Sequence, residues 1–464
     1  MINPYIRLSL VSILLSSCTL APNYIRPTIP INKIVHEDKN NVTQDEKIKK
    51  KLAWKNYFKS PTLQNLIQQA LDNNRNLHIA ALNIEVARAT YRVEKTNLIP
   101  QINIGASLSR QKIPSDIKGS AYIATQYNAN LANTAYEIDF FGRIKSLNKV
   151  ALGKYLATKE AHNIVKISLI AETANAYLKL LADQEILKLI NKTLVNQQKI
   201  YEITQKTFDL GINSKLALSS SQSSLDTLKV NKVIYERLVE QDKNALYLLI
   251  GKDDYVLNKD NLDKIYFIKD LNFNLTSEIL LSRPDIKQSE YILKSNNANI
   301  GAARAAFFPS ISLTGSYGFS SNDLSTLFQG GSTSGAWSFV PQINIPIFNA
   351  GRNKANLDIA KANHKIAIAN YENTIQSAFR EISDELIAYK TLDSQFKLQI
   401  ELVNSMQNYY NISLQRYKSG IDSHLVILNA EQNLFLALQN KILVQQQKLS
   451  NFVNLYKTLG GGED

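Results

Sequence analysis

One side chain in this sequence is set for covalent chemistry. Cys18 is the sole cysteine, and the residues before it read Leu15-Ser16-Ser17, an aliphatic residue followed by two small ones. That order fits a lipoprotein processing site, where the thiol takes a diacylglycerol and the amine freed by cleavage takes a third acyl chain. Upstream, Arg7 precedes an apolar run from Leu8 to Leu15. The run is shorter than the roughly 20 apolar residues of a spanning helix and fits the h-region of a secretory signal. Residues 1–17 are therefore expected to be a signal peptide and Cys18 the lipidation site. Each buried acyl CH₂ contributes about 0.8 kcal/mol, so several chains make a stable anchor. Thr19, not an aspartate, follows the cysteine, which favours delivery to an outer membrane. The competing reading is a soluble secreted protein with an incidental cysteine.

Other chemistry finds no residues to carry it. The five histidines, His36, His78, His162, His364 and His424, lack metal-ligand spacing. A single cysteine leaves no disulfide and no thiolate metal site. No nucleotide loop or nucleophile motif is present, and the Asp and Glu residues read as solvated helix charges. No catalytic residue, no metal and no cofactor beyond the lipid at Cys18 is expected. The net charge of +13 comes from lysines spread along helical faces among Asn and Gln. Without a basic block or a recognisable module, it implies no nucleic-acid partner.

The remaining distinctive residues come in pairs at one ungapped offset of 209: Pro100 with Pro309, Gly142-Arg143 with Gly351-Arg352, Gly211-Ile212 with Gly420-Ile421, Ser214 with Ser423, and Gly251 with Gly460. Such punctuation reads as one unit written twice. The first copy is expected over 61–251 and the second over 270–460, joined by a connector, 252–269. An acylated N-terminus and extended tether (18–60), punctuated by Pro22, Pro27 and Pro30, precedes them, and a tail (461–464) follows.

Each copy predicts a helix, two strands, a long helix, a Gly-Ile turn and a returning helix. The first helices are expected at 72–98 and 284–307. After Pro100, Ile102, Ile104, Ala106 and Leu108 alternate with polar residues. After Pro309, Ile311, Leu313, Tyr317 and Phe319 do the same. Period-2 alternation gives one apolar and one polar face, and about 10 residues suit a tilted strand crossing a bilayer. Strands are expected at about 100–111, 127–140, 309–320 and 335–347. In the last, Trp337, Phe339, Ile343 and Ile345 alternate, but Pro341 and Pro346 interrupt it, so its bilayer part is expected to end near Val340. Four strands cannot close a barrel, and hydrocarbon forbids open sheet edges. The chain must therefore pool strands, with two subunits giving eight and three giving twelve. A soluble half-buried hairpin is the alternative.

The long helices are expected at 143–209 and 352–418, tracts free of proline and about 100 Å long at 1.5 Å per residue. The returning helices follow at 214–250 and 424–459. A seam at spacing seven runs through Leu180, Leu187, Leu194, Tyr201 and Phe208, and again through Tyr389, Phe396, Val403, Tyr410 and Tyr417. Such spacing argues coiled-coil packing. The fold class is thus α+β, mostly α. At the turns, Gly211 and Gly420 suit the left-handed residue of a Schellman motif, with Ile212 and Ile421 packing back. Ser214 and Ser423, with Asn213 and Asp422, can cap the returning helices.

Five stretches together resemble the outer membrane factor lipoproteins, the TolC-like efflux proteins, over nearly the whole chain. They are Cys18-Thr19-Leu20-Ala21-Pro22-Asn23-Tyr24-Ile25-Arg26-Pro27, Tyr136-Glu137-Ile138-Asp139-Phe140-Phe141-Gly142-Arg143, Arg283-Pro284-Asp285-Ile286, Ala303-Arg304-Ala305-Ala306-Phe307-Phe308-Pro309-Ser310-Ile311, and Arg416-Tyr417-Lys418-Ser419-Gly420-Ile421. The resemblance implies a homotrimer. Its 12-stranded β-barrel would sit in the outer membrane of a Gram-negative bacterium, continued by a periplasmic helical barrel with an equatorial domain. It also implies a periplasmic adaptor and an inner-membrane pump, usually of the resistance–nodulation–division type, and export of drugs or other small solutes.

On that resemblance the tips Gly211, Ile212, Ser214, Gly420, Ile421 and Ser423 are expected to dock the adaptor. Asp422, repeated around a three-fold axis, would form an acidic ring that is costly to constrict unless bonded or hydrated. Leu414 could supply an apolar constriction, and Arg416 and Tyr417 could hold neighbouring helices together. Capping and ordinary packing account for each of these residues equally well. Where many members carry Leu-Asp-Ala-Gln-Arg after the second tip, this chain has Leu428-Asn429-Ala430-Glu431-Gln432, so a gate pair using that Asp and Arg is absent or rebuilt. Two alternatives stay open: the outer-membrane component of a type I protein secretion system, and a lipid-anchored coiled-coil protein with no pore.

Overall fold

The structure, a computed structural model, describes residues 19–28, 52–114, 119–253, 260–268 and 281–462. Cys18, the signal peptide and most of the tether lie outside the described residues, as do parts of the connector and of the tail. The chain divides into two units, one of residues 1–29, 83–159 and 288–373, the other of residues 30–82, 160–287 and 374–464.

The first unit is built on a four-stranded antiparallel sheet, β1 (Ile102–Ile113), β2 (Tyr122–Ile138), β3 (Ser310–Ser321) and β4 (Gly335–Asn344), in that spatial order. Register aligns the two faces across all four strands. Ile104 lies opposite Leu131, Leu131 opposite Tyr317, and Tyr317 opposite Trp337. All four side chains of this row are exposed. On the other face, Asn128 donates to Ser107 at 3.4 Å and accepts from Ser320 at 2.9 Å, and Ser316 and Ser338 pair at 2.7 Å. The alternation of the sequence thus becomes one apolar face and one hydrogen-bonded polar face.

Two strands differ from expectation. β2 starts at Tyr122, five residues before the expected 127, and ends at Ile138 instead of 140. Its register shifts between Asn133 and Tyr136, where Ala135 takes φ 50° and its N–H donates to Thr314 Oγ1 at 3.1 Å. Such a bulge lengthens one strand against its partner. β4 pairs past Val340: Pro341 sits opposite Leu313 and pairing continues to Asn344, short of the expected 347. Within this chain β4 is paired on one side only, the setting in which a sheet accommodates a proline.

β2 hands over to α4 (Arg143–Asp209) through side-chain chemistry. Asp139 accepts from the N–H groups of Ile144 at 3.0 Å and Lys145 at 2.7 Å, satisfying free helix donors. Arg143 donates to both Glu137 oxygens, Tyr136 donates to the Leu98 carbonyl at 3.2 Å, and Phe141 stacks on Phe308 at 4.7 Å. The stretch from Tyr136 to Arg143 is therefore a strand-to-helix joint.

The second unit holds α1 (Trp54–Tyr57), α2 (Pro61–Asn73) and α5 (Lys215–Ile250). The chain passes between units within α3 (Arg75–Thr96), α4, α6 (Pro284–Ala305) and α8 (Arg352–Lys418), while the single turn α7 (Gly331–Ser334) precedes α8 and α9 (His424–Thr458) follows it. The single helix expected at 72–98 is two. Asn74 breaks it: its carboxamide oxygen caps α3 through Asn76 N–H (3.0 Å) and Leu77 N–H (3.1 Å), and its amide donates to the Leu249 carbonyl at 2.9 Å.

The expected tether ends too late at residue 60. Leu52, Trp54, Tyr57 and Phe58 are buried, and Phe58 bridges Phe267 as an isolated β-pair. Tyr57, Phe58, Phe267 and Tyr456 pack ring on ring, with centroids 5.2–6.0 Å apart. Arg283 is locked beside this core by Asp285, by Glu381 at 2.8 Å and by the Thr458 carbonyl at 2.7 Å. In α4 the residues fully buried at spacing seven are Asp183, Ile190, Gln197 and Thr204, three positions on from Leu180 and its repeats. From Leu187 onward the expected seam is only half-buried. Among the described residues no helix is long and apolar enough to cross a membrane.

Candidate functional site

The two turns repeat one geometry. At the first, Ile212 N–H reaches the Thr207 carbonyl at 2.9 Å and Gly211 N–H reaches Phe208 at 2.8 Å. At the second, Ile421 reaches Arg416 at 2.9 Å and Gly420 reaches Tyr417 at 3.0 Å. With Gly211 at φ 75° and Gly420 at φ 71°, both are complete Schellman motifs, which satisfy the last helix carbonyls. Ser214 caps α5 through Ala217 N–H at 3.2 Å, whereas Ser423 makes no side-chain cap and receives Val426 N–H on its carbonyl at 3.1 Å.

The expectation that the following isoleucines pack back is not met. Ile212 is 73% exposed and Ile421 63%. Leu210, Leu216 and Leu425 are exposed nearby in sequence, so both turns present apolar surface. A Schellman turn closes by backbone bonds alone, which frees its apolar residue for another contact.

The second turn carries the charge. Arg416 donates from Nε to Asp422 at 2.7 Å and from Nη2 at 2.9 Å, a fork across the turn within one chain. The Arg416 hydrogen bond holds the Asp422 carboxyl below its ordinary range. Arg416 is thus engaged with Asp422 across its own turn. Tyr417 meets the His424 ring edge to face at 5.7 Å. His424 is buried, neither ring nitrogen has a hydrogen-bond partner, and burial lowers its pKa. Leu414 is half-buried one turn before Tyr417.

A second set of residues was missed as a site although its motif was read. Residues 19–28 form a strap on α6 in the first unit. Arg26 forks onto Glu290 at 3.2 and 2.8 Å, and Tyr24 donates to the same carboxylate at 3.1 Å. Asn297 donates to the Pro22 carbonyl at 2.8 Å and Arg304 to the Leu20 carbonyl at 3.1 Å. Gly301 lets the strap approach, since a Cβ there would lie 2.7 Å from Ala21. Burial pushes Glu290 up, and Arg26 and Lys294 pull it down further, so it ends below its ordinary value. The signal was the pairing of Tyr24 and Arg26 with Glu290, 264 residues away from Arg26, which spacing cannot reveal. The acidic residues are also not all solvated: Asp183, Asp242, Glu290 and Glu431 are buried. Among the described residues no group of His, Cys, Asp and Glu could hold a metal ion.

The profile of the outer membrane efflux protein family matches the chain twice, at residues 66–252 and 275–461. The chain is 42% identical to the toluene efflux pump outer membrane protein TtgC of Pseudomonas putida over 466 residues, covering 98% of this chain and 95% of that one. It has the same identity and coverage with the antibiotic efflux pump outer membrane protein ArpC of Pseudomonas putida. Its fold is similar to the open state of the MtrE outer membrane channel of Neisseria gonorrhoeae, with a TM-score of 0.86, 35% identity, and 96% and 98% of the two chains covered.

Proposed function

Because the chain belongs to the outer membrane efflux protein family, we propose that it is the exit duct of a tripartite efflux assembly. It is an outer membrane transport protein of a Gram-negative bacterium and not an enzyme. The observation that carries the reading is the sheet. Its four strands carry one exposed apolar face and leave β1 and β4 as edges within the chain. Such a sheet is stable in hydrocarbon only when closed, and barrels of this kind need about eight strands or more. Closure therefore belongs to an oligomer. A trimer, which pools twelve strands, is the assembly inferred from the likeness to this family.

The two matched segments lie 209 residues apart, and positive-φ glycines recur at that offset in Gly142 and Gly351, Gly211 and Gly420, and Gly251 and Gly460. Both facts support a duplicated unit. In this reading the helices of three chains continue the barrel into the periplasm. The apolar turns at Gly211-Ile212 and Gly420-Ile421, with Ser214 and Ser423, dock a periplasmic adaptor that connects to an inner-membrane pump. Arg416, Tyr417, Asp422 and Leu414 form the closure. Cys18 carries the lipid, and the strap on α6 supports this by fixing the chain directly after the anchor. The solutes are small and toxic; the names of the relatives speak of toluene and antibiotics, which favours efflux over protein secretion.

Deleting the gene should lower tolerance to toluene and to antibiotics several-fold, and the intact gene should restore it. Unchanged tolerance, with loss of a secreted protein instead, would point to type I secretion. Native mass spectrometry of the purified protein should give three subunits, and a dimer would reject the twelve-stranded barrel.

A further inference from the structure

Within the second unit, α4, α5 and α9 line a half-open cavity of about 230 Å³. Gln197 lines it from α4, Leu228 and Asn231 from α5, and Leu428, Glu431 and Phe435 from α9. Two of these groups are buried with unmet bonding capacity. Gln197 is 1% exposed and its amide nitrogen has no partner. Glu431 is 8% exposed and makes no hydrogen bond or ion pair among the described residues. A buried carboxylate without a partner is costly, as is an unbonded buried amide. Among the described residues that line the cavity Glu431 is the one titratable group; the lining side chains of α4 and α5 are neutral. Tyr410, on α8, is the titratable side chain that feels its charge.

We propose that this cavity binds a small organic ammonium ion with an apolar body, whose nitrogen pairs with Glu431. The body lies against Leu228, Leu428 and Phe435, and the ring of Phe435 adds a cation–π face. The Gln197 amide donates to a hydroxyl on the ligand. Size supports the class, since a dry cavity of about 150 Å³ accepts benzene and this one has room for a ring with a short amino-alcohol arm. Burial lifts the Glu431 pKa to about 7, so the empty site is half-protonated near neutrality and an arriving cation fixes the ionised form. The ligand bridges the helices of both turns, because Gln197 on α4 and Leu228 and Asn231 on α5 flank the first turn, and Leu428, Glu431 and Phe435 lie on α9 after the second.

The test is isothermal titration calorimetry of the full-length assembled protein in detergent, with 2-amino-1-phenylethanol as the probe. Saturable binding is expected at about pH 8, at least about tenfold weaker at about pH 5.5, where Glu431 holds its proton. Glu431→Gln should lose binding at pH 8 by a similar factor. Leu428→Trp, which keeps the acid and fills the cavity, should abolish it. No saturable binding by the wild type, equal affinity at both pH values, or undiminished binding by Glu431→Gln would overturn the proposal. So would a neutral analogue, 1-phenylethanol, binding as tightly as the amine. None of these outcomes depends on transport, so the site and the duct stand or fall separately.

Discussion

Arg416 and Asp422 close the second turn on themselves with a two-point fork. Repeated around an axis, Asp422 would crowd negative charge, and its pairing with Arg416 relieves that crowding. Asp422→Ala should therefore loosen the turn and raise resting conductance in planar bilayers; an unchanged leak would remove the pair from the closure. The carboxyl is held below its ordinary pKa, so its contribution is present at neutral pH and is lost only as pH falls through that depressed value. Glu431 has the opposite sign. Burial raises it from 4.5 to about 7, so the folded state holds a proton that the unfolded chain has released. Stability then declines as pH rises from about 4.5 to about 7, by at most about 3 kcal/mol. Glu431→Gln should raise the thermal midpoint above pH 7 and leave it unchanged near pH 4.5, and a gain equal at both values would contradict the burial argument. The sequence marked Glu431 as a departure from the family's usual Gln but read it as a solvated helix charge. Nothing in the order of residues says that a lone carboxylate on a helix faces a cavity between three helices.

At the scale of elements, glycine separates two kinds of turn. A Cβ on Gly420 meets open space, so Gly420→Ala costs only the left-handed backbone, about 1 kcal/mol. A Cβ on Gly251 would lie 2.7 Å from the Asn73 carbonyl oxygen, so Gly251→Ala should cost clearly more, about 2–4 kcal/mol. Urea unfolding of the two variants measures the difference, and equal costs would mean that Asn73 yields freely. The long helices were legible because proline is absent from them and each opens on Gly-Arg, and the strands because alternation needs no partner to be read. Three features were not. The break at Asn74 depends on a side chain that caps one helix and bonds a carbonyl 175 residues away. Leu52 to Phe58 looked like the end of a tether because lysines flank and interleave its aromatics, and only Phe267 and Tyr456 give those rings a core. The buried line Asp183, Ile190, Gln197 and Thr204 is polar in three of its four residues, so hydrophobic periodicity pointed to the other heptad position.

At the scale of the whole molecule, the chain carries more apolar surface than one copy can bury. Trp337, Phe339 and Ile343 on β4 and Ile102, Ile104 and Leu108 on β1 are exposed beside the two sheet edges. Lipid can cover the face, but only strands from other copies can satisfy the edges. In the proposed reading the duct is therefore a property of an oligomer, and a solid coiled-coil rod would have no use for such a sheet. Single-channel recording in planar bilayers tests this most directly. The purified assembly should insert and give discrete conductance steps, small at rest and larger for Asp422→Ala. Insertion without any conductance under any condition, in the wild type and the variant alike, would contradict the account.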